Sequence, residues 1–328
     1  MASEAVRDGG RADVTSRRSL GRTRRSGASR KTVLIALAAN AAIALCKGFA
    51  GLLTGSAGML AEAAHSIADT GNQVFLLVSI SLSSREPRED RPFGHGQERF
   101  LWTFVAAVGM FLAGAVFAIG FGIYELLSSQ GEDSKFGIAY AVLAISLVAE
   151  GASWLRAFHQ TRREAREADL PLLAHIRESR DPNVKMVLFE DTAALVGILL
   201  ATVGIALNQL TGALVFDPIA SVLIGMLLVS VAVWMGRDAK HLLVGSAALP
   251  REREAIERAI AGFEEVRDVE ELLTMVLGPN ALLVAARVDL RDDVPAGQVE
   301  RVSSAIDGRL REVVPDVTEV FLDPTSGR

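Results

Sequence analysis

Apolar residues along this chain collect in six long runs, not at the alternating spacing of strands or the narrow stripe of a surface helix. The runs are Val33 to Leu53, Met59 to Leu82, Phe100 to Leu127, Ile138 to Phe158, Val187 to Leu207 and Ile219 to Met235. A bilayer span takes roughly 20 mainly apolar residues, about 17–25 in practice. Each run meets that length, the sixth at its short end, and each is expected to be a membrane-spanning helix. Gly109, Gly114, Gly120 and Gly122 give the third run small surfaces for close helix contact. After about Leu249 the pattern changes. Pro250 to Gly262 is charged with helical spacing, and its proline stands where a helix starts. Val269 to Leu277 and Ala281 to Leu290 read as strands joined by the turn Gly278-Pro279-Asn280. Val299, Val302, Ile306 and Leu310 mark a helix over Pro295 to Val313, and Val317 to Leu322 reads as a last strand. The order helix, strand, strand, helix, strand predicts a small sheet with both helices on one face.

The loops between the runs differ in charge. Arg7, Arg11, Arg17, Arg18, Arg22, Arg24, Arg25, Arg30 and Lys31 precede the first run. Arg85, Arg88, Arg91 and Arg99 lie between the second and third. Arg162, Arg163, Arg166, Arg177, Arg180 and Lys185 lie between the fourth and fifth, and Arg237 and Lys240 follow the sixth. Thr54 to Ala57 and Asn208 to Asp217 carry no positive charge, and Ser128 to Lys135 carries only Lys135. Cytoplasmic loops are the basic ones, so both termini are expected in the cytoplasm and the number of spans is expected to be even. The fold class predicted is an all-α six-helix transmembrane bundle followed by a small α+β (ferredoxin-like) cytoplasmic domain. The divisions are a disordered basic tail (1–31), the transmembrane domain (32–245) and the cytoplasmic domain (246–328). The tail is rich in Arg, Ser and Gly and too poor in apolar residues to pack. Its composition also suits an organellar transit peptide, the secondary reading. A cleavable signal peptide is not expected, because the first run is too long for its apolar core. The membrane is taken to be the bacterial plasma (inner) membrane.

Composition agrees: 50% of residues are hydrophobic and 6% aromatic, and mean hydropathy is +0.31. The net charge of −5 does not suit a nucleic-acid partner. Cys46 is the single cysteine, so no intrachain disulfide or thiolate cluster can form; it is expected to be a small packing residue.

The second run is interrupted by Glu62, His65, Asp69 and Asn72, spaced to share one helical face. Such groups are costly in hydrocarbon and mark functional sites. An imidazole and a carboxylate one turn apart are also a common half-site for a divalent transition metal. The plainer reading is polar glue between two membrane helices, which for Asn72 weighs equally. Further polar residues fall within or beside the runs. Lys47 is expected to snorkel to an interface. Glu150 lies in the fourth run, and Glu190 and Asp191 open the fifth. Asp217 precedes Pro218 and reads as the cap of the sixth helix.

Three stretches together resemble one family. Gly55-Ser56-Ala57-Gly58-Met59-Leu60-Ala61-Glu62-Ala63-Ala64-His65-Ser66-Ile67-Ala68-Asp69 resembles the second-helix signature of the cation diffusion facilitators. Arg91-Pro92-Phe93-Gly94-His95-Gly96 is similar to their loop into the third helix, and Asp217-Pro218-Ile219-Ala220-Ser221 to their sixth-helix start. The resemblance covers nearly everything after the basic tail. It implies a homodimeric membrane protein that exports divalent metal, most often zinc, through a site between helices two and five. His65 and Asp69 match the helix-two ligands and Asp191 a helix-five ligand. The other helix-five ligand is a histidine in most members, and here that position is Val187. The surrounding Glu190-Asp191 stretch is similar to the branch that includes the mitochondrial zinc transporter. Glu190 or Glu62 is then the fourth ligand. One nitrogen with several oxygens suits zinc and also manganese, iron or cobalt. The ion is cargo, and no cofactor is expected.

His95 matches a family ligand position, but Arg88 and Arg91 stand where its partners would be and repel a cation, so no second site is expected there. The C-terminal domain has no His or Cys, so the metal cluster that many relatives carry there is not expected. His159, His175 and His241 are read as surface or interfacial residues. Metal ligands must be deprotonated to bind, and release leaves carboxylates that favour proton uptake. The expected mechanism is therefore metal–proton antiport by alternating access, with divalent metal, protons, membrane lipid and a second copy of the chain as partners. The rivals are a metal-dependent intramembrane hydrolase and a non-transporting scaffold. No His-Glu-x-x-His motif supports the hydrolase.

Overall fold

The computed structural model describes residues 37–128, 136–167, 169–178 and 182–325. The basic tail, the loop from Ser129 to Lys135, and Arg180 lie outside the described residues.

Among the described residues, five helices are long and apolar enough to cross a membrane: α1 (Leu37–Thr54), α3 (Glu98–Ser128), α4 (Phe136–Glu167), α6 (Pro182–Thr211, apolar from Leu188) and α7 (Phe216–Gly245). The other long helix, α2 (Ala57–Ser83), has 27 residues but lacks that apolar character. Its polar stripe is the reason: Glu62, His65, Asp69 and Asn72 are all buried within the protein, where α3, α6 and α7 pack around the helix. The apolar runs mark only part of each helix. α4 continues past Phe158 to Glu167 because Gln160–Glu164 and Arg163–Glu167 pairs support it one turn apart. A short helix, α5 (Leu172–Glu178), lies where no helix was expected.

Local chemistry fixes the turns. Gly55 closes α1 with φ +65°, and its N–H donates to Gly51 O at 2.9 Å, a left-handed helix end that favours glycine. Ser56 then caps α2 by accepting from Met59 N at 3.2 Å. A π-helical stretch, Ala107–Phe111, interrupts α3. Small residues bring α3 and α7 together: a Cβ on Gly122 would stand 2.8 Å from Pro218 O, and one on Gly225 3.0 Å from Ala115 O.

The C-terminal part follows the expected order: α8 (Pro250–Ala261), β1 (Val266–Gly278), β2 (Ala281–Leu290), α9 (Ala296–Val313) and β3 (Val317–Thr325). β2 is central. It pairs antiparallel with β1, with Val276 opposite Leu282, and parallel with β3, with Leu282 opposite Val317. The parallel pair needs a crossover, which α9 supplies. Ile256 and Ile260 of α8 and Val302, Ile306 and Leu310 of α9 share one core with Val276, Leu282 and Val284 of the sheet. Phe100 at the start of α3 and Leu242 near the end of α7 join that core, so the two parts meet. The contact is close: a Cβ on Gly96 would stand 2.5 Å from Leu277 O and 2.9 Å from Gly278 Cα. Phe93 meets Phe321 edge-on at 6.4 Å beside it.

Candidate metal centre

The buried face of α2 holds the predicted half-site together. His65 Nε2 lies 3.2 Å from Asp69 Oδ2, one turn along the helix. The pair is near but not aligned as a hydrogen bond, so both ring nitrogens of His65 and Asp69 Oδ1 are buried without a hydrogen-bond partner. The edge of Phe111, at the end of the π-helical stretch, stands against the imidazole with ring centres 6.5 Å apart.

α6 brings the acids. Asn72 Nδ2 donates to Glu190 Oε2 at 2.6 Å, tying α2 to α6. Asn72 therefore is interhelical glue, and the group it glues is one of the predicted ligands. Glu190 is buried, and Asp69 and Asp191 are the acids nearest to it. Asp191 is half-buried, with Ser153 of α4 within hydrogen-bonding reach and Oδ2 unpartnered. The structure thus brings Glu190 beside Asn72 and Asp69, keeps His65 one turn before Asp69 on α2, and leaves Asp191 on the α4 side. Among the described residues, no group of three or more His, Cys, Asp or Glu side chains is gathered tightly enough to hold a metal ion as it stands. The remaining candidate, Glu62, points elsewhere. Its Oε2 accepts from Lys47 Nζ at 2.9 Å, and its Oε1 lies against Gly197 of α6, where a Cβ would collide with it.

Three expectations are corrected here. Lys47 does not snorkel. It is fully buried, about 10 Å from the nearer end of α1 at 1.5 Å per residue. Its ammonium donates to Glu62 and to Ser66 Oγ, each at 2.9 Å, and lies 3.7 Å from Glu150. The missed signal was that depth, beyond the reach of a lysine stem, together with an acid on the next helix. Asp217 does not cap its own helix. It sits inside the first turn of α7, and its Oδ1 accepts from Ser56 Oγ at 3.0 Å and Gly58 N at 3.2 Å, capping α2 instead. Asn208 of α6 takes the role at α7, its Oδ1 accepting from Phe216 N and Asp217 N at 2.9 and 3.2 Å. Cys46 is exposed on α1 and is not a buried packing residue.

The other histidines stand apart. His95 is buried in the loop into α3, where Gly94 turns at φ +83° and Arg91 pairs with Glu98. His159 and His241 are exposed, and His175 Nε2 lies 3.7 Å from Glu164.

A polar stripe buried among apolar helices, with a histidine and acids facing one another across two of them, is the arrangement of a membrane protein that handles cations. A family model for the cation efflux transmembrane domain matches residues 33–244. The chain belongs to the cation efflux family, the cation diffusion facilitators. It is 33% identical over 259 residues to the mitochondrial proton-coupled zinc antiporter SLC30A9 of Homo sapiens, covering 79% of this chain and 45% of that protein. It is 30% identical to metal tolerance protein C4 of Arabidopsis thaliana, covering 70% of this chain and 50% of that one. To the manganese efflux system protein MneP of Bacillus subtilis (strain 168) it is 26% identical, covering 90% and 95%. The chain spans about half the length of the first two relatives.

Proposed function

We propose that this chain exports divalent metal, zinc foremost, from the cytoplasm in exchange for protons, by alternating access around a site between α2 and α6. The observation that carries this reading is that, among the buried, unpartnered polar atoms, several lie along α2 and on the neighbouring α6: both nitrogens of His65, Asp69 Oδ1, Asn72 Oδ1 and Asp191 Oδ2. Buried polar groups without partners are costly. An arriving cation would satisfy them, and water or protons would after it leaves. His65, Asp69 and Asp191 are the proposed ligands, with Glu190 as the fourth. In this reading α2 crosses the membrane as a sixth span, both termini are cytoplasmic, and the transporter works as a homodimer. Relatives named for zinc antiport and for manganese efflux support a metal substrate and leave the two ions to be separated by experiment.

The residues also suggest how exchange is coupled. A bare divalent ion cannot enter hydrocarbon, and acidic ligands offset its charge. Each ligand must lose its proton to bind, so metal entry expels protons, and metal release leaves acids that take protons up. The hydrolase and scaffold readings lack comparable support, since the matched relatives are named as transporters.

Purified protein in sealed vesicles, given zinc, manganese, iron or cobalt under an imposed pH gradient, tests this. Zinc uptake driven by the proton gradient, with matched proton flux in the opposite sense, is the expected result. Metal flux indifferent to the gradient would end the antiport reading, and absence of flux with every metal would end the transport reading.

A further inference from the structure

We propose that Lys47 is the resident counter-cation of the ion path: it keeps Glu62 and Glu150 out of the metal's coordination, so that a divalent ion meets His65, Asp69 and the α6 acids alone. The proposal rests on the metal-site reading given above and assigns a role to three residues that the reading does not use.

The geometry comes first. Lys47 is buried deep in α1, and its ammonium has three partners from two other helices: Glu62 and Ser66 of α2 and Glu150 of α4. Two of its three donors are used in hydrogen bonds to Glu62 and Ser66, and Glu150 adds a longer ion pair. Glu62 is held through one oxygen: Oε2 accepts from Lys47, while Oε1 lies against Gly197, where no side chain could fit without displacing it, and has no hydrogen-bond partner. Glu62 lies one turn from His65 on the same face of α2, so without Lys47 it would be a natural ligand. The hold is what excludes it.

Charge supplies the reason. Glu62, Asp69, Glu150 and Glu190 are buried and Asp191 is half-buried, all in one bundle. One divalent ion can balance only two of five carboxylates, and buried charges without partners are strongly destabilising. A lysine between Glu62 and Glu150 supplies one further positive charge, which offsets one carboxylate and leaves the ion fewer to satisfy. It also cannot serve as a ligand itself. A fixed positive charge at the Glu62 end repels a divalent ion at close range, most strongly where the dielectric is low. The ion is thereby directed toward Asp69, about two turns further along α2, and Glu190 of α6, which is bonded to Asn72 about a turn beyond that. Fewer acids on the ion mean weaker retention, which a carrier needs in order to release its cargo.

The test uses the full chain, purified in detergent and titrated with zinc chloride, then reconstituted for flux. Lys47→Met should free Glu62 for the ion, so zinc binds about tenfold or more tightly while turnover falls. Adding Glu62→Gln to Lys47→Met should return affinity to within about threefold of the unmodified protein and recover part of the flux. Infrared difference spectra on zinc binding give a readout apart from activity. Glu62→Gln should keep the zinc-induced carboxylate bands, whereas Asp69→Asn should lose one. If Lys47→Met does not elute as a folded protein, the Glu62→Gln spectra decide alone. Loss of a zinc-induced band in Glu62→Gln, or weaker zinc binding in a folded Lys47→Met, overturns the proposal while leaving the metal site standing. Unchanged zinc binding in Asp69→Asn ends the metal-site reading, and the role of Lys47 with it.

Discussion

Asn72 on α2 and Glu190 on α6 are joined by a 2.6 Å hydrogen bond, the amide donating to the buried carboxylate. The bond fixes which way Glu190 points, and it is made between the two helices that carry the proposed ligands. Replacing the amide by an apolar group of similar size, Asn72→Leu, leaves a buried carboxylate without its donor. A hydrogen bond to a charged group contributes about 1.5–3 kcal/mol. Zinc affinity should fall by roughly tenfold, corresponding to about 1.4 kcal/mol. Zinc titration of the purified variant checks this; unchanged affinity would mean that Glu190 is oriented by the helix alone.

The four proposed ligands should not respond alike. His65→Ala and Asp69→Ala are expected to abolish zinc flux in vesicles while the protein still elutes as an intact particle, because each removes a group whose free atoms face the site. Asp191→Asn should do the same. Glu190→Gln keeps the shape and the Asn72 contact but removes the charge. Adjacent residues on a helix point about 100° apart, so Glu190 and Asp191 reach one ion from different sides. A loss of affinity of about tenfold in Glu190→Gln is expected for a ligand. Should flux and affinity survive in Glu190→Gln and vanish in Asp191→Asn, Glu190 is structural and water is the better fourth ligand.

Orientation can be read by labelling. With Cys46 replaced by alanine, a cysteine at exposed Thr211, the last residue of α6, should react with a membrane-impermeant maleimide added outside intact cells. One at exposed Ser84, after α2, should react only once the membrane is opened. Reversed labelling would refute the arginine-based topology, and labelling of both positions from one side would mean that α3, α4 and α6 do not cross three times.

Asp217 is a cap supplied across the bundle. Asp217→Ala removes the acceptor for Ser56 Oγ and Gly58 N at the start of α2. Loss of a cap costs about 0.5–2 kcal/mol. The melting temperature in detergent should drop by several degrees, and Asp217→Asn, which keeps an acceptor oxygen, should recover most of it. An Asp217→Ala protein as stable as the parent would show that α2 starts without help from α7.

Much of this protein was legible along the chain because its signals are local or periodic. Long apolar runs reflect the thickness of a bilayer, and the strand and helix order after Leu249 follows from spacing and turn residues alone; β2 begins and ends at the predicted residues. The His65–Asp69 pair was equally legible, since a helix places such neighbours on one face whatever surrounds it. What the chain could not state was who faces whom between helices. Lys47, Asp217 and Asn208 each carried a local reading, or none, and each found its partner on a different helix: Glu62 on α2, Ser56 before α2, and the first turn of α7. The helix ends beyond the apolar runs were hidden for a related reason. Polar pairs one turn apart prolong a helix after hydropathy has ended. Periodicity determines that a residue is buried; only the packing of helices, set by glycines such as Gly58, Gly204 and Gly225 that let backbones approach, decides which buried charge meets which.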